Sequence, residues 1–186
     1  MESVNKLREE EETPSPTFSY LVKMKGGSRP NFEKVKMTNH FITALGSFLG
    51  LALVALLNNF YNIPLLAPSF GASAVLLYAA CHAPMSQPRN VIGGHIISAT
   101  IGVIIYQTLG THWWTIALTV TLAIFLMSLT HTLHPPGGAT AFIAIYTGQD
   151  FSFILSPVGL GAVLLIIVAV VVNNISSQRK YPDFWF

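Results

Sequence analysis

Imidazole and hydroxyl groups carry most of the chemistry this chain offers. It has six histidines in 186 residues and a single cysteine, Cys81. Two of the histidines, His131 and His134, stand three residues apart and run directly into Pro135-Pro136-Gly137-Gly138-Ala139-Thr140. Such a pair could ligate a metal, but structural and catalytic sites recruit thiolate, carboxylate or further imidazole partners. No acidic or thiol partner accompanies it in the membrane, because Asp150 and Cys81 fall at expected surfaces. A lone cysteine also supplies no disulfide framework. The expectation is therefore a protein that is not an enzyme, with no catalytic residues, no metal and no cofactor. The second chemistry open to this stretch is anion binding. A chain break that turns into a helix start presents unpaired N–H groups at the positive end of the helix dipole. Here it also presents a histidine and a first-turn hydroxyl, Thr140.

The break follows from backbone chemistry. Adjacent prolines remove two N–H donors and bias Leu133 and His134 away from helical dihedrals. From Gly138 to Thr147 the residues tolerate a helix, so the reading is an extended entry followed by a short helix. A second break of the same kind lies at Asn62-Ile63-Pro64-Leu65-Leu66-Ala67-Pro68-Ser69-Phe70-Gly71, followed by an apolar helical run from Ala72 to Cys81.

The elements around these breaks are set by the distribution of charge. The chain is 52% hydrophobic and 10% charged, against about 25% charged in soluble domains. Between Thr38 and Gln178 the only Asp, Glu, Lys or Arg residues are Arg89 and Asp150. No water-soluble surface is built with so little charge, so the body belongs in a lipid bilayer. Long apolar runs are expected at about 38–60, 91–109, 113–130 and 153–172, with a polar turn at 84–90. Residues 1–37, rich in Lys, Glu, Pro and Gly, read as a largely disordered cytoplasmic arm. Residues 38–178 form the transmembrane domain, and 179–186 a basic and aromatic cytoplasmic tail suited to a membrane surface. Lys34 and Lys36 place the start of the first span inside. Glu9 to Glu12 and the late first apolar run argue against a secretory or organellar leader. The simplest setting is the plasma membrane of a bacterium, multi-pass, with both termini cytoplasmic.

The two breaks align at an offset of 67: Pro68-Ser69-Phe70-Gly71-Ala72-Ser73-Ala74 against Pro135-Pro136-Gly137-Gly138-Ala139-Thr140-Ala141. Each has a long span before it and a glycine-bearing span after it. The fold class read from this is an all-α membrane protein of two tandem three-segment repeats, about 38–109 and 113–175. An odd number of crossings per copy makes the copies inverted, giving six short spans. The alternative is four full spans and two re-entrant half-helices.

Three segments carry a family likeness: Ser69-Phe70-Gly71-Ala72-Ser73-Ala74-Val75-Leu76-Leu77, Gln87-Pro88-Arg89-Asn90-Val91-Ile92-Gly93-Gly94-His95, and Leu133-His134-Pro135-Pro136-Gly137-Gly138-Ala139-Thr140-Ala141. In order and spacing they resemble the signatures of the HPP family of integral membrane proteins, over roughly residues 36–186. Gly137 stands where many relatives have alanine. The resemblance implies four spans, at odds with six unless two segments count as half-helices. It also implies nitrite transport, an activity associated with plastid and cyanobacterial members.

Together these readings give a transporter or channel for a small inorganic anion, nitrite being the first candidate. The expected substrate-binding residues are Ser69, Phe70, Gly71, Ser73, His134, Pro135, Pro136, Gly137, Gly138 and Thr140, with gating or coupling by Arg89, Asn90 and His95. Protonation of His134 or His95 would offer proton coupling. The expected partners are the lipid bilayer, the anion and further copies of the chain in a homo-oligomer, with no nucleic acid. The competing reading is a membrane adaptor or sensor that works through its charged arm without transport.

Overall fold

Proline opens several of the helices of this protein, in the one position where its missing N–H costs nothing. In the computed structural model, which describes residues 23–24, 35–61 and 68–186, six α-helices make up the body. They are α1 (Met37–Tyr61), α2 (Pro68–Ala74), α3 (Pro88–Leu109), α4 (Trp113–Leu129), α5 (Pro135–Tyr146) and α6 (Leu160–Asn173). Wider π-helical turns extend α2 through Val75–Ala79 and lead into α6 over Ile154–Gly159, and a 3-10 turn, Pro84–Ser86, precedes α3. There is no strand among the described residues. The residues from Val35 onward form one compact unit. The expected disorder of the arm, its Lys34 and the lead-in Asn62–Ala67 lie outside the described residues.

Several boundaries differ from expectation. The short helix after the double proline starts at Pro135, three residues before Gly138, because Pro135 and Pro136 supply its first turn and only Leu133 and His134 remain as lead-in. His134 is extended, with φ −139° and ψ 102°. Likewise the other short helix starts at Pro68 rather than Ala72, and α3 at Pro88 rather than Val91. Arg89 and Asn90 therefore sit in a helical turn instead of a loop. The last span is not a continuous rod. Ser156 is non-helical (φ −137°, ψ 117°) beside Pro157, so this segment is broken too.

Helix lengths divide the elements. Met37–Asn59, Pro88–Leu109 and Ile154–Asn173, at 23, 22 and 20 residues, are long and apolar enough to cross a membrane. The 17 residues of α4 reach about 26 Å at 1.5 Å per residue. The 12 residues of α5 reach only about 18 Å against a hydrocarbon core of about 30 Å, and α2 with its π-turn is no longer. These two are half-helices by length.

Contacts at the helix ends fix the chain direction. Arg179, from the tail, donates to the Asn39 carbonyl (2.8 Å) and Thr43 hydroxyl (2.7 Å) at the start of α1. It also donates to the Tyr78 carbonyl (3.0 Å) at the end of the α2 segment and to Asn173 Oδ1 (3.1 Å) at the end of α6. The tail is thus folded onto this end of the bundle, with the Tyr181 hydroxyl buried against the Ser86 carbonyl (2.8 Å). Arg89 at the start of α3 reaches the Thr130 carbonyl after α4 at 3.1 Å. At the opposite end the Thr111 hydroxyl, after α3, donates to the Ile145 carbonyl at the end of α5 (2.7 Å). Successive helices consequently alternate in direction.

The connector from α4 to α5 is built by a Schellman end. The His131 N–H donates to the Ser128 carbonyl (3.2 Å) and the Thr132 N–H to the Met127 carbonyl (2.9 Å). His131 occupies the left-handed position (φ 55°) that glycine usually takes.

Candidate functional site

Five polar side chains that the sequence scatters over 72 positions meet in the interior. Ser69 and Ser73 come from α2, His95 from the third turn of α3, and Thr140 from the second turn of α5. His134 occupies the N-cap of α5. Each is at most 1% exposed. Buried polar groups at this depth are costly unless paired, and here all are paired with one another. Ser73 Oγ lies 2.8 Å from His95 Nε2 and 2.9 Å from His134 Nε2. Thr140 Oγ1 lies 2.8 Å from His95 Nδ1 and 2.9 Å from Ser69 Oγ. The ring of His95 is thus gripped at both nitrogens by two hydroxyls, Ser73 and Thr140, that stand at matching places in the two aligned breaks.

Since Ser69 meets Thr140 while Ser73 meets His134, α2 and α5 run antiparallel and overlap only near their starts. From that overlap they diverge to opposite ends of the bundle. His134 Nδ1 lies 2.8 Å from the Met85 carbonyl. A carbonyl only accepts, so this nitrogen carries a proton.

Close backbone approach makes the junction possible. A methyl placed on Gly94 would lie 2.6 Å from His134 Cβ and 3.0 Å from the Thr132 carbonyl. One on Gly137 would lie 2.8 Å from the Ser98 hydroxyl and 3.0 Å from the Gly94 carbonyl. On the other side Gly161 of α6 leaves room for the Phe70 ring, whose edge faces His95 at a centroid distance of 5.5 Å.

The remaining residues singled out from sequence sort by position. Arg89 and Asn90 stay outside the cluster. With Arg89 on the Thr130 carbonyl, Asn90 Nδ2 donates to the Leu133 carbonyl at 3.0 Å and reaches the His131 carbonyl at 3.5 Å. The two residues hold down the connector that delivers His134. Pro136 is buried and its carbonyl accepts a second, longer contact from Thr140 (3.4 Å), whereas Pro135 is exposed. Gly71 and Gly138 face open space, with no atom within 4 Å of an added methyl. His131 is exposed and does not join His134.

The free amide end expected at the double proline is not what α5 presents. Pro135 and Pro136 have no N–H, and the Gly137 N–H is spent on the His134 carbonyl at 2.8 Å. The donors at this junction are side chains. Sequence reasoning also missed Met85, whose part is played by a backbone carbonyl, and Arg179, whose partners lie up to 140 residues away. Nothing in the chain's linear pattern signals either one.

An all-helical body nearly free of fixed charge, with half-helices meeting at a buried polar cluster, defines a multi-pass integral membrane protein. The family described as HPP, transmembrane region, matches residues 32–182, and the chain belongs to the HPP family. Two transmembrane proteins of Dictyostelium discoideum are similar to it. One is 39% identical over 91% of this chain and 58% of its own length, the other 39% identical over 77% and 55%. The chain therefore spans little more than half the length of these relatives. Both come from a eukaryote and lend no support to the bacterial setting expected from composition. No solved structure matches.

Proposed function

We propose that this protein is a membrane transporter or channel for a small inorganic anion, with nitrite the first candidate. The observation that carries the reading is the junction itself: two proline-started half-helices bring hydroxyl and imidazole donors together, and among the described residues no carboxylate bonds to them. Nitrite is monovalent with two acceptor oxygens. Such an ion can exchange part of its hydration for O–H and N–H donors, and without a fixed cation beside it the ion is not held too tightly to leave. In the described arrangement these donors are spent on one another, which is a closed state. Passage requires them to change partners.

The proposed architecture is a pair of inverted three-segment repeats, with α2 and α5 as the short member of each. The packing supports it. Exchanging α1, α2, α3 for α4, α5, α6 maps each principal helix pairing onto another: α1 on α6 becomes α4 on α3, α1 on α2 becomes α4 on α5, and α2 on α6 becomes α5 on α3. The offset of 67 relates not only Ser73 to Thr140 but also Gly94 to Gly161. Each of these glycines admits the start of a half-helix, Gly94 that of α5 and Gly161 that of α2. The alternating helix directions suit inversion.

One observation favours the adaptor or sensor reading: the cluster is sealed and internally satisfied, as a purely structural knot would be. Purified protein in proteoliposomes, assayed for uptake of nitrite, nitrate, formate and chloride, separates the two. Uptake of a small anion that survives deletion of residues 1–34 and is lost in His134→Ala supports transport. Absence of uptake for all four anions would leave the sensor reading standing alone.

A further inference from the structure

The first span begins where the last one ends. Arg179 joins the start of Met37–Asn59, through Asn39 and Thr43, to the end of Ile154–Asn173, through the Asn173 side chain. Beside this clamp, and apart from the buried cluster, lies an open cavity of about 350 Å³. Its walls are Lys36, Thr38 and Ile42 from the entry into α1, and Ile175, Ser176, Ser177 and Gln178 from the connector that follows α6. The lining is graded along the bilayer normal. Lys36, Thr38, Ser176, Ser177 and Gln178 stand at or just outside the ends of the two spans, whereas Ile42 lies within the first. Thr38 and Ile42 are one helical turn apart, about 6 Å at 1.5 Å per residue. One wall of the cavity therefore passes from headgroup level into hydrocarbon.

The polar end carries the chemistry of an anion site. The Lys36 side chain is exposed, and among the described residues the ion pair formed is His82 with Asp183, so no described carboxylate neutralises Lys36. None of the lining residues is acidic. Ser176 Oγ accepts the Gln178 N–H at 3.2 Å, which leaves the hydroxyl proton of Ser176 for another acceptor. Thr38 and Ser177 add hydroxyls and Gln178 an amide. Hydrogen bonds from such donors to a charged oxygen, with an ammonium beside them, are stronger than those between neutral groups.

We propose that this cavity holds the phosphate of an anionic phospholipid, with the lipid's acyl chains leaving along Ile42 and Ile175. Basic pockets between spans at a membrane surface suit such headgroups. A free inorganic phosphate shares the polar chemistry but makes no use of the apolar wall. A zwitterionic headgroup brings its own ammonium, which meets Lys36 and finds no carboxylate in the cavity. The bound lipid bridges the entry into α1 and the connector after α6, the two elements that Arg179 already joins. Occupancy therefore stabilises the fold, as any ligand of the folded state does. The site is independent of the cluster and of whether the chain carries an anion across the membrane.

The test is thermal unfolding and native mass spectrometry of the full chain in detergent micelles, with phosphatidylglycerol, phosphatidylcholine or inorganic phosphate added at matched concentrations. Phosphatidylglycerol raises the melting temperature and leaves a lipid adduct on the chain, and the other two do neither. Lys36→Gln, at an exposed position, raises the phosphatidylglycerol concentration needed for half the shift by about fivefold. Lys180→Gln removes an exposed cation that does not line the cavity and leaves that concentration unchanged. An equal response to phosphatidylcholine overturns the proposal, because acyl chains alone then account for it. An equal loss in Lys180→Gln overturns it too, because diffuse attraction to surface charge then suffices. A response to inorganic phosphate that matches the lipid's overturns the lipid as occupant. No response to phosphatidylglycerol in either measurement overturns the site altogether.

Discussion

Removing the Ser73 hydroxyl is the sharpest probe of the junction. Ser73→Ala strands two buried nitrogens, His95 Nε2 and His134 Nε2, whose partner at 2.8 and 2.9 Å is gone. Thr140→Val keeps the side-chain shape and strands His95 Nδ1 and Ser69 Oγ. Leaving a buried polar group without a partner costs about 1–3 kcal/mol. Polar links between helices in bilayers run lower, at about 0.6–2 kcal/mol each. With two groups stranded per variant, each substitution should cost about 2–4 kcal/mol. Because both hydroxyls hold one imidazole, the double variant should depart from additivity by about 1 kcal/mol or more. Reversible unfolding in mixed micelles measures the three variants against the parent. Losses under about 0.5 kcal/mol for both single variants, within the range of ordinary surface substitutions, would mean that the cluster holds nothing together, and the reasoning built on it would fall.

Four other outcomes follow from the packing. Gly71→Ala and Gly138→Ala place methyls in open space within helices and should leave stability unchanged or raise it by about 0.5–1 kcal/mol. Gly94→Ala should lower the melting temperature clearly, because its methyl meets the Thr132 carbonyl as well as His134 Cβ. His131→Gly relieves a left-handed residue and should stabilise by about 1 kcal/mol in the same unfolding assay, with the Schellman bonds retained. Arg179→Gln removes the cation that ties the start of α1 to the ends of the α2 segment and α6, and should cost about 2–4 kcal/mol for its charge-assisted bonds. Limited proteolysis of the tail should show cleavage after residue 178 appearing in that variant and not in the parent.

Much of the architecture was legible because it depends on local chemistry. The absence of charge from Thr38 to Gln178, apart from Arg89 and Asp150, requires a bilayer. Two adjacent prolines and two glycines mark the break at Pro135, and the prolines at 64 and 68 mark the other, each leading into a short helix. The polar members of the cluster were each singled out, Ser69, Ser73, His134 and Thr140 as substrate-binding residues and His95 as gating or coupling. Their partners were not, because which hydroxyl meets which nitrogen is decided by the antiparallel overlap of α2 and α5 and by the glycines that let α3 and α6 close on them. The break at Ser156 was overlooked although Pro157 marks it plainly, since a hydrophobic run of span length masked the proline within it.

Residue type and order alone therefore settled that this chain lives in lipid, where two of its interruptions fall and which side chains are polar enough to matter there. Only the folded bundle decided that Ser73 and Thr140 share one imidazole, that Met85 fixes the proton on His134, and that the tail returns to clamp three helix ends. Backbone breaks are written in neighbouring residues. A hydrogen bond between positions 61 or 140 residues apart exists only once packing has removed the water that would otherwise take its place.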